Sequence, residues 1–287
     1  RTMAPPKNDP SADTLLVRVT AALPDLHPSE QRIAQVVLNF PGDLASYTAS
    51  ELAQLSNVSN ATVSRFVRRI GYASFEEARQ AARAEQKAGA PLFRFASGGT
   101  PLGGALAGHV EQSHANISAT AATLDEDAVD ALARAALAAR RVRLAGFRAG
   151  QPMARYLAWQ MLQVIADVDV FPRAGETLGE SVSAVDAGDC CIVVALRRPP
   201  RCLLPLMTAL RETGADVAVI GDLPDIDALP ARWRFACATS APGPLLNHVS
   251  VMAVCNLIAA RVIESSGADG RRRMGNVEET HRRLDEI

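Results

Sequence analysis

The residues best suited to do chemistry in this chain are arginines set among short hydrogen-bonding side chains. Between Ser56 and Tyr72 there are three arginines, Arg65, Arg68 and Arg69, and no acid. That is a local charge of +3 in a chain whose formal net charge is −1. Ser59, Asn60, Thr62 and Ser64 precede or interleave with them. Small polar groups at the start of a helix can touch base edges, while long cations further along reach phosphates. Asn60 and the helix amides near Ser59 are also suited to a phosphate. A second set, Arg148, Arg197, Arg198 and Arg201, falls with Gly150 and Gln151 in two later loops. A guanidinium fork binds carboxylates and phosphates, so this set suits a small anion. Glu180 and His248, with Glu176 nearby in sequence, are a carboxylate and an imidazole, but a single Glu at a helix start is common and one His beside Asn247 is not a catalytic constellation.

Elements must hold these groups in place. Thr48-Ala49-Ser50-Glu51 has the form of a capping box, so a short helix is predicted from Thr48 to about Asn57. Val58 fills a turn, Ser59 caps the next helix, and Asn60–Ile70 runs to Gly71. Val63, Phe66, Val67 and Ile70 form its inner face. Two short helices joined by a tight turn make a helix-turn-helix. The bland alternative is a structural hairpin with a solvated arginine face.

The second set of arginines is read through a different pattern. Short apolar runs at Val142–Phe147, Val168–Phe171, Cys190–Leu196, Asp216–Ile220 and Phe235–Ala238 alternate with helical spacing. The helices are predicted near residues 105–124, 126–140, 151–166, 177–186, 203–213 and 245–263. Strands apolar throughout imply a parallel sheet covered on both faces. In such sheets ligands sit beyond the carboxyl ends of the strands, where the arginine loops fall. The same arginines could instead be solvated, or pair with Glu176, Glu180 or Asp189. The expected organisation is therefore an all-α domain over residues 11–86, a linker over 87–104 and an α/β domain over 105–287. Phe93 and Phe95 suggest that part of the linker docks on a domain.

Composition sets bounds on function. With 287 residues, 48% hydrophobic and 21% charged, the chain suits two folded domains rather than disorder. Near-neutrality excludes bulk electrostatic coating of nucleic acid but not a basic patch. Of 30 basic residues only Lys7 and Lys87 are lysine. The five cysteines show no CxxC pair and no metal-ligand spacing with histidine, so no metal and no cofactor are expected. Four of the five lie in apolar runs, which fits a reducing cytoplasm. Residues 1–14 do not read as a signal peptide, and Val249–Ile263 is too short and too interrupted to span a membrane. Gly146-x-x-x-Gly150 is not a dinucleotide fingerprint.

Four runs carry a resemblance: Leu26–Ala34 (LHPSEQRIA), Thr48–Ala53 (TASELA), Val58–Phe66 (VSNATVSRF) and Gly71–Phe75 (GYASF). In order and spacing they resemble the N-terminal domain of RpiR-type bacterial transcription regulators over residues 15–86. That family joins a helix-turn-helix domain to a C-terminal sugar isomerase (SIS) domain, and the second half is similar to one. Glu278–Leu284 (EETHRRL) is similar to how such regulators end. The resemblance implies binding to double-stranded operator DNA, a small effector of the sugar-phosphate kind, and a homodimer or homotetramer.

One departure stands out. SIS domains that hold phosphosugars use hydroxyl-rich loops after the first and third strands. Here those loops are Gly146–Gln151 and Arg197–Arg201, both without a hydroxyl, and Pro199 and Pro200 remove two amide donors. Arginine is the substitute available. The expectation is a regulator that senses an anion, with no catalytic residue. The alternatives are a phosphosugar isomerase with an accessory helical domain, and a regulator whose SIS domain only oligomerises.

Overall fold

The computed structural model describes residues 14–39, 41–88, 93, 105–241 and 245–287. The chain divides into two compact units. One holds the described residues up to Gly108 together with Ala241, Leu245 and Leu246; the other holds His109–Ser240 and Asn247–Ile287.

The first unit is all helix: α1 (Leu15–Ala22), α2 (Pro28–Asn39), α3 (Ala49–Leu55), α4 (Asn60–Arg69) and α5 (Phe75–Lys87). Each of α1, α3, α4 and α5 starts on a hydroxyl cap, from Thr14, Thr48, Ser59 and Ser74 respectively. Such caps satisfy amides that the first helical turn leaves without a partner. The core gathers Leu15, Val19, Ile33, Val37, Leu52, Val63, Phe66 and Val67. Phe93 joins it at 2% exposure, so that one residue of the expected linker docks here; Phe95 lies outside the described residues. Gly42 lies beneath the Phe93 backbone, where a Cβ would stand 1.9 Å from the Phe93 carbonyl oxygen.

The second unit is a five-stranded, wholly parallel sheet in the order β2-β1-β3-β4-β5. The strands are β1 (Arg141–Gly146), β2 (Val168–Phe171), β3 (Asp189–Ala195), β4 (Asp216–Gly221) and β5 (Trp233–Ala236). The helices are α6 (Ala105–Ala121), α7 (Glu126–Ala138), α8 (Gly150–Met161), α9 (Leu178–Ser183), α10 (Leu203–Glu212), α11 (Val249–Ser265) and α12 (Gly267–Leu284). α6 begins in the first unit and runs mostly in the second.

Two-residue alternation along the strands sorts the core into two layers. Val142, Leu144, Ile192, Val194, Ala218 and Ile220 pack with α7, α8 and α11. Ala145, Cys191, Val193, Val217 and Val219 pack with α10 on the other face. β3 is buried along its whole length, as a central strand covered on both sides must be. Burial pushes the thiols of Cys191, Cys237 and Cys255 up to about 12 and that of Cys190 higher, so these four cysteines are packing groups.

Two differences from the sequence reading have local causes. The predicted helix over 245–263 begins only at Val249, because Asn247 Oδ1 accepts the Val249 N–H while the Asn247 N–H bonds the Thr239 carbonyl. The last 18-residue helix, α12, is separate: Gly267, at φ +62°, breaks the path and the two helices meet at 106°.

Candidate nucleic-acid interface and anion site

The helix-turn-helix is α3, a turn over residues 56–59, and α4. Its entry is a complete capping box: the Glu51 N–H donates to Thr48 Oγ1 at 3.2 Å, and the Thr48 N–H donates to Glu51 Oε2 at 2.7 Å. The Thr48 backbone and hydroxyl bonds hold the Glu51 carboxyl below its ordinary range. Asn57 turns the chain at φ +49°, and the Val58 N–H returns to the Ala53 carbonyl at 2.9 Å. Arg32 of α2 then fixes the turn by donating Nε to the Ser56 carbonyl (3.2 Å) and Nη2 to the Asn57 carbonyl (3.1 Å). Sequence reasoning passed over Arg32, although a cation near a helix C-terminus is a usual partner for its last carbonyls.

Along α4, Val63, Phe66 and Val67 face the core, with Ile70 just beyond its end. Ser59, Asn60, Ala61, Ser64, Arg65, Arg68 and Arg69 are exposed. Thr62 is the exception among the predicted contact residues. It is 5% exposed, and its hydroxyl is bonded to Ser59 Oγ (3.0 Å) and to Arg65 Nη2 (3.3 Å). Its position at the third residue of α4 puts it on the cap side of the first turn, so it holds the helix start. Asn60 Nδ2 donates to Ser50 Oγ at 3.1 Å. Arg69 reaches the Asp25 carbonyl at 2.6 Å and lies 3.5 Å from Glu30. Arg68 and Ser64 have no side-chain partner among the described residues.

In the second unit the strand order reverses direction of progress between β1 and β3. The loops that follow these strands therefore meet at a topological switch point. Gly146 and Gly150 bring α8 hard against the sheet: a Cβ on Gly146 would lie 2.4 Å from the Gly150 carbonyl oxygen, and one on Gly150 would lie 2.5 Å from that of Val194. This puts the start of the 12-residue α8, with half-buried Gln151, at the crevice. Arg148 (φ +53°) and Arg198 (φ +58°) each occupy the left-handed region in their own loop. Such strain in a non-glycine residue costs on the order of 1–3 kcal/mol and gathers at functional sites. Arg148 Nη1 approaches the Arg198 carbonyl at 3.5 Å, so the two loops are adjacent. Arg148, Arg198 and Arg201 are exposed.

Arg197 is different. Its N–H donates to Asp222 Oδ1 (2.7 Å), its Nε donates to the Asp222 carbonyl (3.2 Å), and Nε stands 3.5 Å from Asp222 Oδ2. Thr239 Oγ1 donates to the same carboxylate at 2.5 Å. Asp222, 5% exposed directly after β4, thus ties the β3 loop to the segment after β5. The acids proposed as arginine partners are engaged elsewhere: Glu176 with Arg173, Glu180 with Thr177, and Asp189 with Arg140 and Arg141. Only Arg197 has found an acid, and it is Asp222. An acid at the end of an apolar strand was the available signal.

Glu180 is exposed, and the Thr177 hydroxyl holds its carboxyl below the usual range. His248, just before α11, is pushed down by burial against an opposing pull from Asp222. No group of three or more metal-ligating side chains occurs among the described residues. No single helix there is long and apolar enough to cross a membrane.

Residues 14–88 match the helix-turn-helix domain of the rpiR family. Over 279 residues the chain is 23% identical to the HTH-type transcriptional regulator HexR of Pseudomonas aeruginosa, covering 93% of this chain and 95% of HexR. It is also 24% identical to the uncharacterized HTH-type regulator YfhH of Escherichia coli, over 83% of this chain and 86% of YfhH. Among solved structures, Vibrio vulnificus NanR complexed with ManNAc-6P matches with a TM-score of 0.56 and 17% identity, over 94% of this chain and 99% of that one. The sugar isomerase domain of an RpiR transcription factor from Sphaerobacter thermophilus matches at 0.54 and 20%, over 59% and 96%. These structures show the fold alone: the second unit has the same α/β fold as the sugar isomerase domain of that RpiR transcription factor.

Proposed function

We propose that this regulator acts by inserting α4 into the major groove of double-stranded operator DNA, and that its SIS-type unit binds a small anionic, sugar-phosphate-like metabolite. The observation that carries the DNA reading is the outer face of α4. It is wholly exposed, carries three arginines and no acid, and stands on a helix-turn-helix fixed at both ends of its turn. One such helix reads few base pairs, so a homodimer or homotetramer reading paired half-sites is part of the proposal. Selection from a random duplex pool, followed by fluorescence anisotropy, tests it. A recovered motif bound far more tightly than scrambled duplex supports the reading; equal binding of both at physiological salt refutes it.

The effector reading rests on the two loops at the switch point. Arg148 and Arg198 lie exposed in adjoining loops at the start of α8, with exposed Arg201 three residues beyond Arg198, and the dipole of α8 also favours an anion. The NanR structure, of the same fold, is described as a complex with ManNAc-6P. An effector works by binding one of two conformations better than the other. The proposed role is binding rather than catalysis: Glu180 is committed to Thr177, and no hydrogen bond among the described residues joins it to His248, so the two groups a proton transfer would need are not brought together. Thermal melting against sugar phosphates, ManNAc-6P included, tests this. Stabilisation by a sugar phosphate that Arg148→Ala abolishes supports it. No stabilisation by any anion leaves an SIS-type unit that only oligomerises.

A further inference from the structure

A concave cleft opens between the start of α2 and one flank of α4, with a volume of about 560 Å3. Its walls include His27, Ser29, Glu30, Arg32, Arg65 and Arg69. Three guanidinium groups face one carboxylate there. Glu30 is a buried, spoken-for acid: its side chain is 3% exposed, accepts the His27 N–H at 3.1 Å and lies 3.5 Å from Arg69. The cleft therefore keeps a net charge of +2 before His27 is counted.

The donors in the cleft are largely unspent. Arg65 uses one of its five N–H groups, on Thr62 Oγ1. Arg32 spends Nε and Nη2 on the turn carbonyls and keeps Nη1. The Ser29 hydroxyl has no partner among the described residues, and its N–H, in the first turn of α2, has no carbonyl within the helix. Concavity, excess positive charge and unspent donors together describe a seat for one tetrahedral anion.

Helical geometry says which anion. At 3.6 residues per turn, Arg65 and Arg69 share the flank of α4 that lines the cleft, while Asn60, Ser64 and Arg68 share the other, with Ala61 between. A helix lying in the major groove is walled by the phosphates of the strands that bound it. We infer that this cleft seats a backbone phosphate of the bound duplex, so that Arg65 and Arg69 grip the strand while Ala61, Ser64 and Arg68 face base edges. The inference rests on the DNA reading above and adds a division of labour within one helix.

The test uses the full chain and the duplex recovered from the random pool. Each phosphate contact contributes about 0.9 to the slope of log affinity against log salt. Arg65→Ala is expected to lower that slope by about 0.9 per engaged cleft, so the gain in affinity from 200 to 50 mM salt shrinks about 3.5-fold. Arg65→Lys keeps the charge and the slope, and Ser29→Glu, which adds a carboxylate to the wall, lowers it as Arg65→Ala does. Pools selected with Arg65→Ala return the wild-type motif, whereas Arg68→Ala loses preference at one position. An unchanged slope for Arg65→Ala, or a motif relaxed at a single base by it, overturns the inference while leaving DNA binding intact. Failure of the wild-type chain to select any motif would instead remove the DNA reading itself.

Discussion

Removing the Asp222 carboxylate should unfasten the loop after β3 from the segment after β5. In Asp222→Ala the Arg197 N–H and the Thr239 hydroxyl lose partners at 2.7 and 2.5 Å in a position that is 5% exposed. An orphaned buried donor costs about 1–3 kcal/mol. The Arg197 side chain, 30% exposed, can turn to water and adds little. The sum is about 2–6 kcal/mol, which for a domain of this size lowers Tm by about 4–24 °C. Asp222→Asn separates hydrogen bonding from volume. Its amide oxygen can take the Arg197 N–H, and its NH2 can donate to a rotated Thr239 hydroxyl. It should cost only about 1 kcal/mol, the difference between a charge-assisted and a neutral bond. The assay is calorimetric melting of the full chain, with His248 titrated by NMR as a second readout. Because the Asp222 charge pulls the His248 pKa up against burial, Asp222→Asn should lower it further. Equal melting of the alanine and asparagine variants, or an alanine loss under about 2 °C, would refute the hub assigned to Asp222.

Three other perturbations follow from the geometry. Thr48→Ala or Glu51→Ala opens the capping box at α3 and should cost about 1 kcal/mol each, seen as a lower urea midpoint for the helical unit. Gly221→Ala places a Cβ 1.8 Å from the Ala195 carbonyl oxygen between two central strands; backbone must move, and a loss of about 1–3 kcal/mol or insolubility is expected in expression and melting trials. His248 has a folded pKa below its ordinary 6.5, so the unfolded chain takes up the proton first. Its contribution is complete above about pH 6.5 and declines as pH falls through that value towards the folded pKa. Wild-type Tm should therefore fall more than that of His248→Gln between pH 7 and 5.5.

Much of this was legible in the sequence because it is local. The Thr48 and Ser59 caps, the inner face Val63-Phe66-Val67 and the apolar run of β3 are set by residues within a turn or a strand of each other. The parallel sheet followed from strands apolar on both faces, whereas the strand order that places the switch point between β1 and β3 came only with the structure. What escaped depends on contacts distant in sequence. Arg32 meets the carbonyls of Ser56 and Asn57, 24 and 25 residues on, and Asp222 meets Arg197 25 residues back. Residue type placed Thr62 among the contacts, but the Ser59 cap draws its hydroxyl inward. Arg143 escaped too: β1 buries it against Phe171, Asp169 and the Ser181 carbonyl, where it acts as a strut for α9.

The arginines can now be sorted by how their donors are used, which composition alone does not permit. Arg140, Arg141, Arg143 and Arg232 are tied to acids of the sheet and its ends, and Arg32 and Arg83 to backbone carbonyls of the helical unit. Spent donors hold a fold; a guanidinium with unspent donors is available to an outside anion. Arg65 and Arg68 remain largely unspent on α4, and Arg148, Arg198 and Arg201 remain so at the strand ends. The two groups are proposed to meet different anions for a geometric reason. On α4, Arg65 lines the cleft proposed for a backbone phosphate while Arg68 lies on the flank proposed to face base edges. At the sheet Arg148 and Arg198 stand in two adjoining strained loops, an arrangement proposed to suit one compact ligand. An effector that draws the β1 and β3 loops together would pull on Asp222 through Arg197 and so on the segment after β5. The same variant, Asp222→Ala, should then weaken the effect of the anion on DNA affinity more than it weakens anion binding itself; equal losses in both would show that Asp222 serves stability alone.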